Sequence, residues 1–405
     1  MHLYLLPLAF ALAGLAIYTA LGGADFGAGF WQIVATDDDI SDEAHHAMAP
    51  VWEANHVWLI YVLTVVWTAY PSAFGSIAST LSIPLFIAGI GIVLRGGAYA
   101  LRSGTRTAAE TRRVDTLFAV SSILTPFALG TAVGGIASER VHVGNPGGSL
   151  TTSWLNPTSI TIGVLAVATS AYMAAVFLSG DATRHGNDAL AERFRTRALA
   201  SGVVAGAAAV AGLVVLHFDA ERLFHRLTDG PGLPALVVSL AAGVGTLALL
   251  WRRRYEPARY SAALAVATVV VGWAVAQYPV FLRGLTVHEA AAGHDVLVAV
   301  VVSVLAGAVI LFPSLALLFR LTLRGDLYPG GEQAEQPLRR DVPGRGGLRV
   351  AAAFLVGGIG FLTVADAPWA HAIGVVCFFG FALAAYSSVA EDESNARSAS
   401  VDGTK

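Results

Sequence analysis

The chain has 405 residues, of which 55% are hydrophobic and 13% charged, with a mean hydropathy of +0.64 and a net charge of −3. Soluble domains carry about 25% charged residues, so this chain has too little polar surface to cover a soluble core, and its apolar residues must face lipid as well as protein. The small negative charge argues against a nucleic-acid partner, and a single cysteine, Cys377, excludes a disulfide framework and any multi-cysteine metal or iron–sulfur site.

A membrane span needs roughly 20 mainly apolar residues. The first run, about 3–35, lacks a charged leader region and is too long for the apolar core of a cleaved signal, so it reads as a retained first helix. Further runs follow at about 50–70, 76–101, 114–138, 157–180, 196–218, 234–251, 259–279 and 295–323. A polar linker rich in Gly, Pro and Arg (324–348) then separates this 1–323 body from a terminal hairpin at 349–389, with spans at about 349–366 and 368–389. Residues 390–405 form a polar tail that reads as disordered. The runs are too long and too uniformly apolar for barrel strands. The expected fold is an all-α polytopic membrane protein. Its nine-helix body is two four-helix bundles plus one helix, with an extra C-terminal two-helix hairpin.

Orientation follows from basic residues in the loops. The loops after spans three, five, seven and nine hold 18 arginines, against 4 in the loops after spans four, six and eight. The first set is expected to be cytoplasmic, which puts the N-terminus outside and the C-terminus inside. The acidic loop 36–49 has no Arg or Lys and does not inform the assignment.

Charges within spans are costly and therefore candidates for function. In chain order these are Asp25 in span one, Glu53 and His56 at the start of span two, and Arg95 late in span three. All four fall in the half of the bilayer nearer the arginine-rich loops. Consecutive spans tend to be neighbours, so two carboxylates, an imidazole and a guanidinium are expected to cluster. Arg95 would neutralise one carboxylate and leave the other to exchange a proton. Glu53 and His56, three apart, share a helix face, with Trp52 and Asn55 as a neighbouring pair. Gly22, Gly23, Gly27 and Gly29 flank Asp25 and allow close helix approach. Plainer roles stay open: a structural Asp25–Arg95 ion pair, Glu53 as a helix N-terminal charge, His56 as a packing residue, and Trp52, Trp58 and Trp67 as packing or interfacial aromatics.

These segments carry a resemblance. GGADFGAGFW at 22–31 and PVWEANHVWLI at 50–60 resemble the first- and second-helix signatures of cytochrome bd-type quinol oxidase subunit II. Pro71, LRGGAYALR at 94–102, LTPFALG at 124–130, WLNPTSITIGV at 154–164 and QYPVFLRGLTVHEAA at 277–291 continue it in order, so that it covers about 3–323. Glu53 stands where Asp is also common, and His56 where Gln or Glu often occurs, a pattern closer to the cyanide-insensitive branch. The terminal hairpin lies outside the family's nine-helix core.

The resemblance implies a heterodimer with a larger subunit I that holds two haems b and haem d and binds quinol. The complex would reduce dioxygen to water. Subunit II would bear no haem. It would support its partner and supply part of a cytoplasmic proton path through Asp25, Glu53, His56 and Arg95, with Trp52, Asn55 and Trp58 lining or positioning it. A small accessory subunit and membrane lipid are further expected partners. The residues agree on one point. Three haems need several buried axial ligands, and only His56 and Met173 stand clearly inside spans. No metal is expected on this chain. A secondary transporter or channel using the same charges is the competing function, and a purely structural assembly subunit the third.

Overall fold

The N-terminal run forms one helix, α1, from Leu3 to Val34. At 1.5 Å per residue it is about 48 Å long, longer than the hydrocarbon core of a bilayer. Its middle contains a π turn, Tyr18–Gly22. Such a turn takes in an extra residue and disturbs the regular hydrogen-bond ladder. The Leu21 carbonyl within it accepts a bond from Asn55 Nδ2 at 3.3 Å. The start of α1 is held by Tyr70, whose hydroxyl donates to Tyr4 O at 2.5 Å and accepts from Leu8 N at 3.0 Å.

The structure, a computed structural model, describes residues 2–34, 52–102, 105, 107–144 and 149–323, and parts of 350–381. The side chains of residues 52–54 lie outside that description, as do the acidic loop, the linker and the tail. After α1 come α2 (Trp52–Ala69), α3 (Pro71–Thr80), α4 (Ser82–Arg102), α5 (Ala108–Ala137), α6 (Pro157–Arg184) and α7 (Asp188–Asp219). Then follow α8 (Glu221–Thr228), α9 (Leu233–Trp251), α10 (Tyr255–Gln277), a small antiparallel pair β1 (Val280–Leu282) and β2 (Leu285–Thr286), α11 (Val287–Ala290) and α12 (His294–Leu323).

Among the described residues, eight helices are long and apolar enough to cross a membrane, and α2 adds a shorter apolar stretch, Asn55–Ala69. The protein is an all-α polytopic membrane protein. Hydropathy located the spans but trimmed their ends. The helix α5 starts before residue 114, α6 runs on to Arg184, and α7 begins at Asp188. These extra turns carry Arg, Asp and Glu, which a hydropathy window rejects although the backbone continues as helix. The run expected at 76–101 is instead two helices, α3 and α4, broken at Leu81.

The body, Met1–Pro313, is one compact unit. In its first half α1 packs on α2 and α5, and α4 packs on α5. In the second half α6, α7, α9 and α10 close a ring, each packing on the next and α10 returning to α6. The halves meet along a seam where α6 receives both α1 and α5, while α10 touches α1. The helix α6 is anchored at its start. Asn156 caps it through Ser159 N at 2.9 Å, Pro157 fits the first turn, and the Asp219 carboxylate accepts from Thr158 Oγ1 at 2.6 Å. The stretch His294–Leu311 of α12 is largely exposed.

A second unit comprises Ser314–Lys405. Within it, helical residues 353–358 lie against helical residues at 376–377 and 380–381: a Cβ on Gly380 would fall 2.8 Å from the Phe354 ring, and one on Gly357 3.7 Å from Cys377 Sγ.

Candidate functional site

Asp25 lies about 14 Å up α1 from Val34, facing the first bundle. Its carboxylate takes both arms of one guanidinium. Arg95 Nη1 donates to Oδ2 at 2.7 Å and Nη2 to Oδ1 at 2.6 Å, while Nη2 also reaches the Asp25 carbonyl at 2.9 Å. The remaining nitrogen, Arg95 Nε, donates to Ser122 Oγ at 2.9 Å, and that hydroxyl donates to Phe118 O at 2.7 Å. The phenyl rings of Phe26 and Phe118 each lie 4.8 Å from the guanidinium carbon. The two side chains are only 1% and 4% exposed. A charge pair this deep is held by geometry: the bidentate match, the third acceptor and the aromatic faces together replace water.

The expected cluster is therefore divided. Asp25 and Arg95 meet directly. His56 packs beyond the Phe26 ring, 6.0 Å from it and 6.4 Å from the Tyr18 ring. Asn55, buried beside it, secures the π turn of α1. Trp58 is half-buried and edge-on to Tyr61 at 6.3 Å. Trp52 and Glu53 belong to the first turn of α2, and their side chains lie outside the described residues.

Two of the four glycines sit at points of contact between helices. At Gly27 a Cβ would fall 1.8 Å from the Ser170 carbonyl oxygen, so α1 and α6 touch main chain to main chain. At Gly29 it would fall 2.3 Å from Ser122 Oγ, the atom that accepts from Arg95. At Gly23 nothing lies nearer than 3.8 Å, and at Gly22 the closest atom belongs to the Tyr18 ring of the same helix, 3.1 Å away. Trp31 reinforces the seam by donating from Nε1 to Ala171 O at 2.8 Å.

A second buried cation escaped the sequence reading. Arg259, 7% exposed, pairs with Asp181 and donates to the Phe177 carbonyl, stacking on the Phe177 ring at 5.1 Å. Arg184 and Glu256 close the group at 2.9 Å. Asp181 and Arg259 read as loop charges because they border arginine-rich connections, but both lie inside helices that run a turn longer than their apolar cores. A Cβ on Gly180 would fall 2.6 Å from Arg259 Nε, so the small residue preceding Asp181 was the available signal.

Haem needs axial ligands in an open slot. His56 instead stands between packed rings, and Met173 is fully buried in the core of α6. Among the described residues, no three His, Cys, Asp or Glu side chains assemble into a metal-holding group.

Comparison with known proteins gives a consistent result. The family model described as "Cytochrome bd terminal oxidase subunit II" matches residues 3–322. A Bacillus subtilis (strain 168) protein with the provisional name cytochrome bd menaquinol oxidase subunit II is 20% identical over 220 residues, covering 53% of this chain and 62% of that relative. The chain thus spans less than two thirds of that relative's length. The structure of bd oxidase from Geobacillus thermodenitrificans contains a chain with the same fold, with a TM-score of 0.63 and 24% identity, covering 80% of this chain and 99% of that one. With the family model matching most of its length, the chain belongs to the cytochrome bd terminal oxidase subunit II family.

Proposed function

We propose that this chain is the haem-free subunit II of a quinol:dioxygen oxidoreductase, supporting a haem-bearing subunit I and conducting protons toward it from the arginine-rich, cytoplasmic side. The observation that carries the reading is the Asp25–Arg95 pair, enclosed among the first helices of a chain of this family. In the partner, haem would pass electrons from quinol to dioxygen; this chain would deliver protons only.

The geometry divides the labour. Both oxygens of the Asp25 carboxylate are already engaged by one guanidinium, so Asp25 and Arg95 act as a structural pair. Glu53, at the start of the neighbouring helix, is the carboxylate left to take up and release a proton. Asn55, three residues before Trp58, holds the wide turn of α1 against α2.

The test uses the two-subunit complex in detergent or nanodiscs, with oxygen consumption driven by a reduced quinol analogue. Glu53→Gln is expected to slow turnover roughly 100-fold, the lower range for a positioned proton-transfer group, with haem content unchanged. Normal turnover in Glu53→Gln would remove the proton role and leave a structural assembly subunit, which the fully engaged state of Asp25 also favours. Substrate-dependent transport by the chain alone in liposomes would instead support a carrier.

A further inference from the structure

Tyr18 lies in the π turn of α1, where α1 meets α2, α6 and α10. It is 6% exposed, and its hydroxyl has no hydrogen-bond partner among the described residues. A buried, unsatisfied hydroxyl costs about 1–3 kcal/mol and is explained best by a bound water or a functional use. The surroundings point to use. The Tyr18 ring lies 6.4 Å from His56 and 6.4 Å from Phe26, the ring that covers the Arg95 guanidinium. The wide turn that carries it is pinned by Asn55, on the same turn of α2 as His56. Single π turns recur at functional sites because they aim a side chain that a regular helix would bury elsewhere.

We propose that Tyr18 is a proton-relay residue, its hydroxyl joining the His56 imidazole, through internal water, to the seam between the two bundles. This rests on the proton-path reading above and extends it past the arginine-rich end toward the middle of the membrane. The step is balanced without a co-reactant. Oη accepts a proton from a water on the His56 side as its own proton passes to a water on the far side, and rotation of the O–H resets it. The phenol carries no net charge before or after.

Tyr18→Phe removes one oxygen and keeps the ring packing. In the assembled oxidase, turnover is expected to fall roughly 10-fold, less than the 100-fold or so for a group in direct transfer, because water can bypass a hydroxyl. The H2O/D2O ratio of turnover rates should rise, while haem content and quinol KM stay as in the unaltered complex. A merely structural tyrosine would leave the isotope ratio where it was. If Glu53→Gln is slow but Tyr18→Phe matches the unaltered complex in rate and isotope ratio, the relay is overturned and the path stands. If both are normal, the path itself fails. Hydroxyl-radical footprinting of the unaltered complex gives a readout independent of any variant: Tyr18 should be labelled despite its burial, because bound water generates the radical locally. An unlabelled Tyr18 would overturn the relay.

Discussion

Asp25→Asn is expected to damage the protein more than Arg95→Met, although both break the same ion pair. Removing one partner of a buried pair costs about 3–5 kcal/mol, since the other charge is left in a poor solvent. The two survivors differ in their escape. A carboxylate left unpaired in a poor solvent can shed its charge by taking up a proton. A stranded Arg95 guanidinium stays charged in any protein environment, and here it is 1% exposed with the rings of Phe26 and Phe118 against it. Asp25→Asn should therefore sit at the top of that range and Arg95→Met below it by about 1 kcal/mol or more. The double variant Asp25→Leu/Arg95→Met should recover most of the loss, because an apolar pair of similar volume removes both charges. Denaturation midpoints of the purified complex, with the yield of assembled complex, decide this. A milder Asp25→Asn, or a double variant no better than its worse parent, would show that the pair is not held as a desolvated unit.

Gly27→Ala is expected to abolish assembly or cost more than about 3 kcal/mol, above the usual range for overpacking. The added Cβ would lie 1.8 Å from the Ser170 carbonyl oxygen, 2.4 Å from its carbon and 2.7 Å from Ala174 Cβ. No side-chain rotation relieves a clash with main chain, so α1 and α6 would have to separate. Separation would also pull Trp31 from the Ala171 carbonyl. Gly23→Ala, one turn earlier, is the matched control: its Cβ has 3.8 Å of clearance and should be tolerated. Equal expression and equal stability of both variants would contradict the contact. Gly29→Ala should also be damaging: its Cβ would lie 2.3 Å from Ser122 Oγ and 2.5 Å from Ser122 Cβ, so rotating the hydroxyl would release Arg95 Nε without clearing the clash.

Much of this architecture was legible because a bilayer imposes a coarse rule. A spanning helix must be long and apolar, so α1, α4, α5, α6, α7, α9, α10 and α12 stand out in the sequence. What the rule misses is local. Nothing in Tyr18–Gly22 announces a π turn, because its residues suit an α-helix equally well; the turn follows from how α1 fits α2, α6 and α10. The break at Leu81 is similarly silent. At the site, Asp25 and Arg95 were readable as neighbours because two charges in apolar runs need each other. That the Phe26 ring would set His56 apart from them was not, since spacing along two helices fixes a face and not what fills the gap between faces. Asp181 and Arg259 went unread for the opposite reason, being embedded in sequence already rich in charge.

The contact at Gly27 also bears on mechanics. A carrier that alternates its opening rocks one half of the molecule over the other, and such motion needs a greased joint of interchangeable side chains. Here the joint is keyed. Two backbones interlock at Gly27 and Ser170, an indole is latched across them at Ala171, and α6 of the second half receives both α1 and α5 of the first. Sliding the halves by one turn would bring a different residue onto each tooth of the key. The two halves of the body are thus joined at fixed points, main chain against main chain at Gly27 and indole to carbonyl at Trp31.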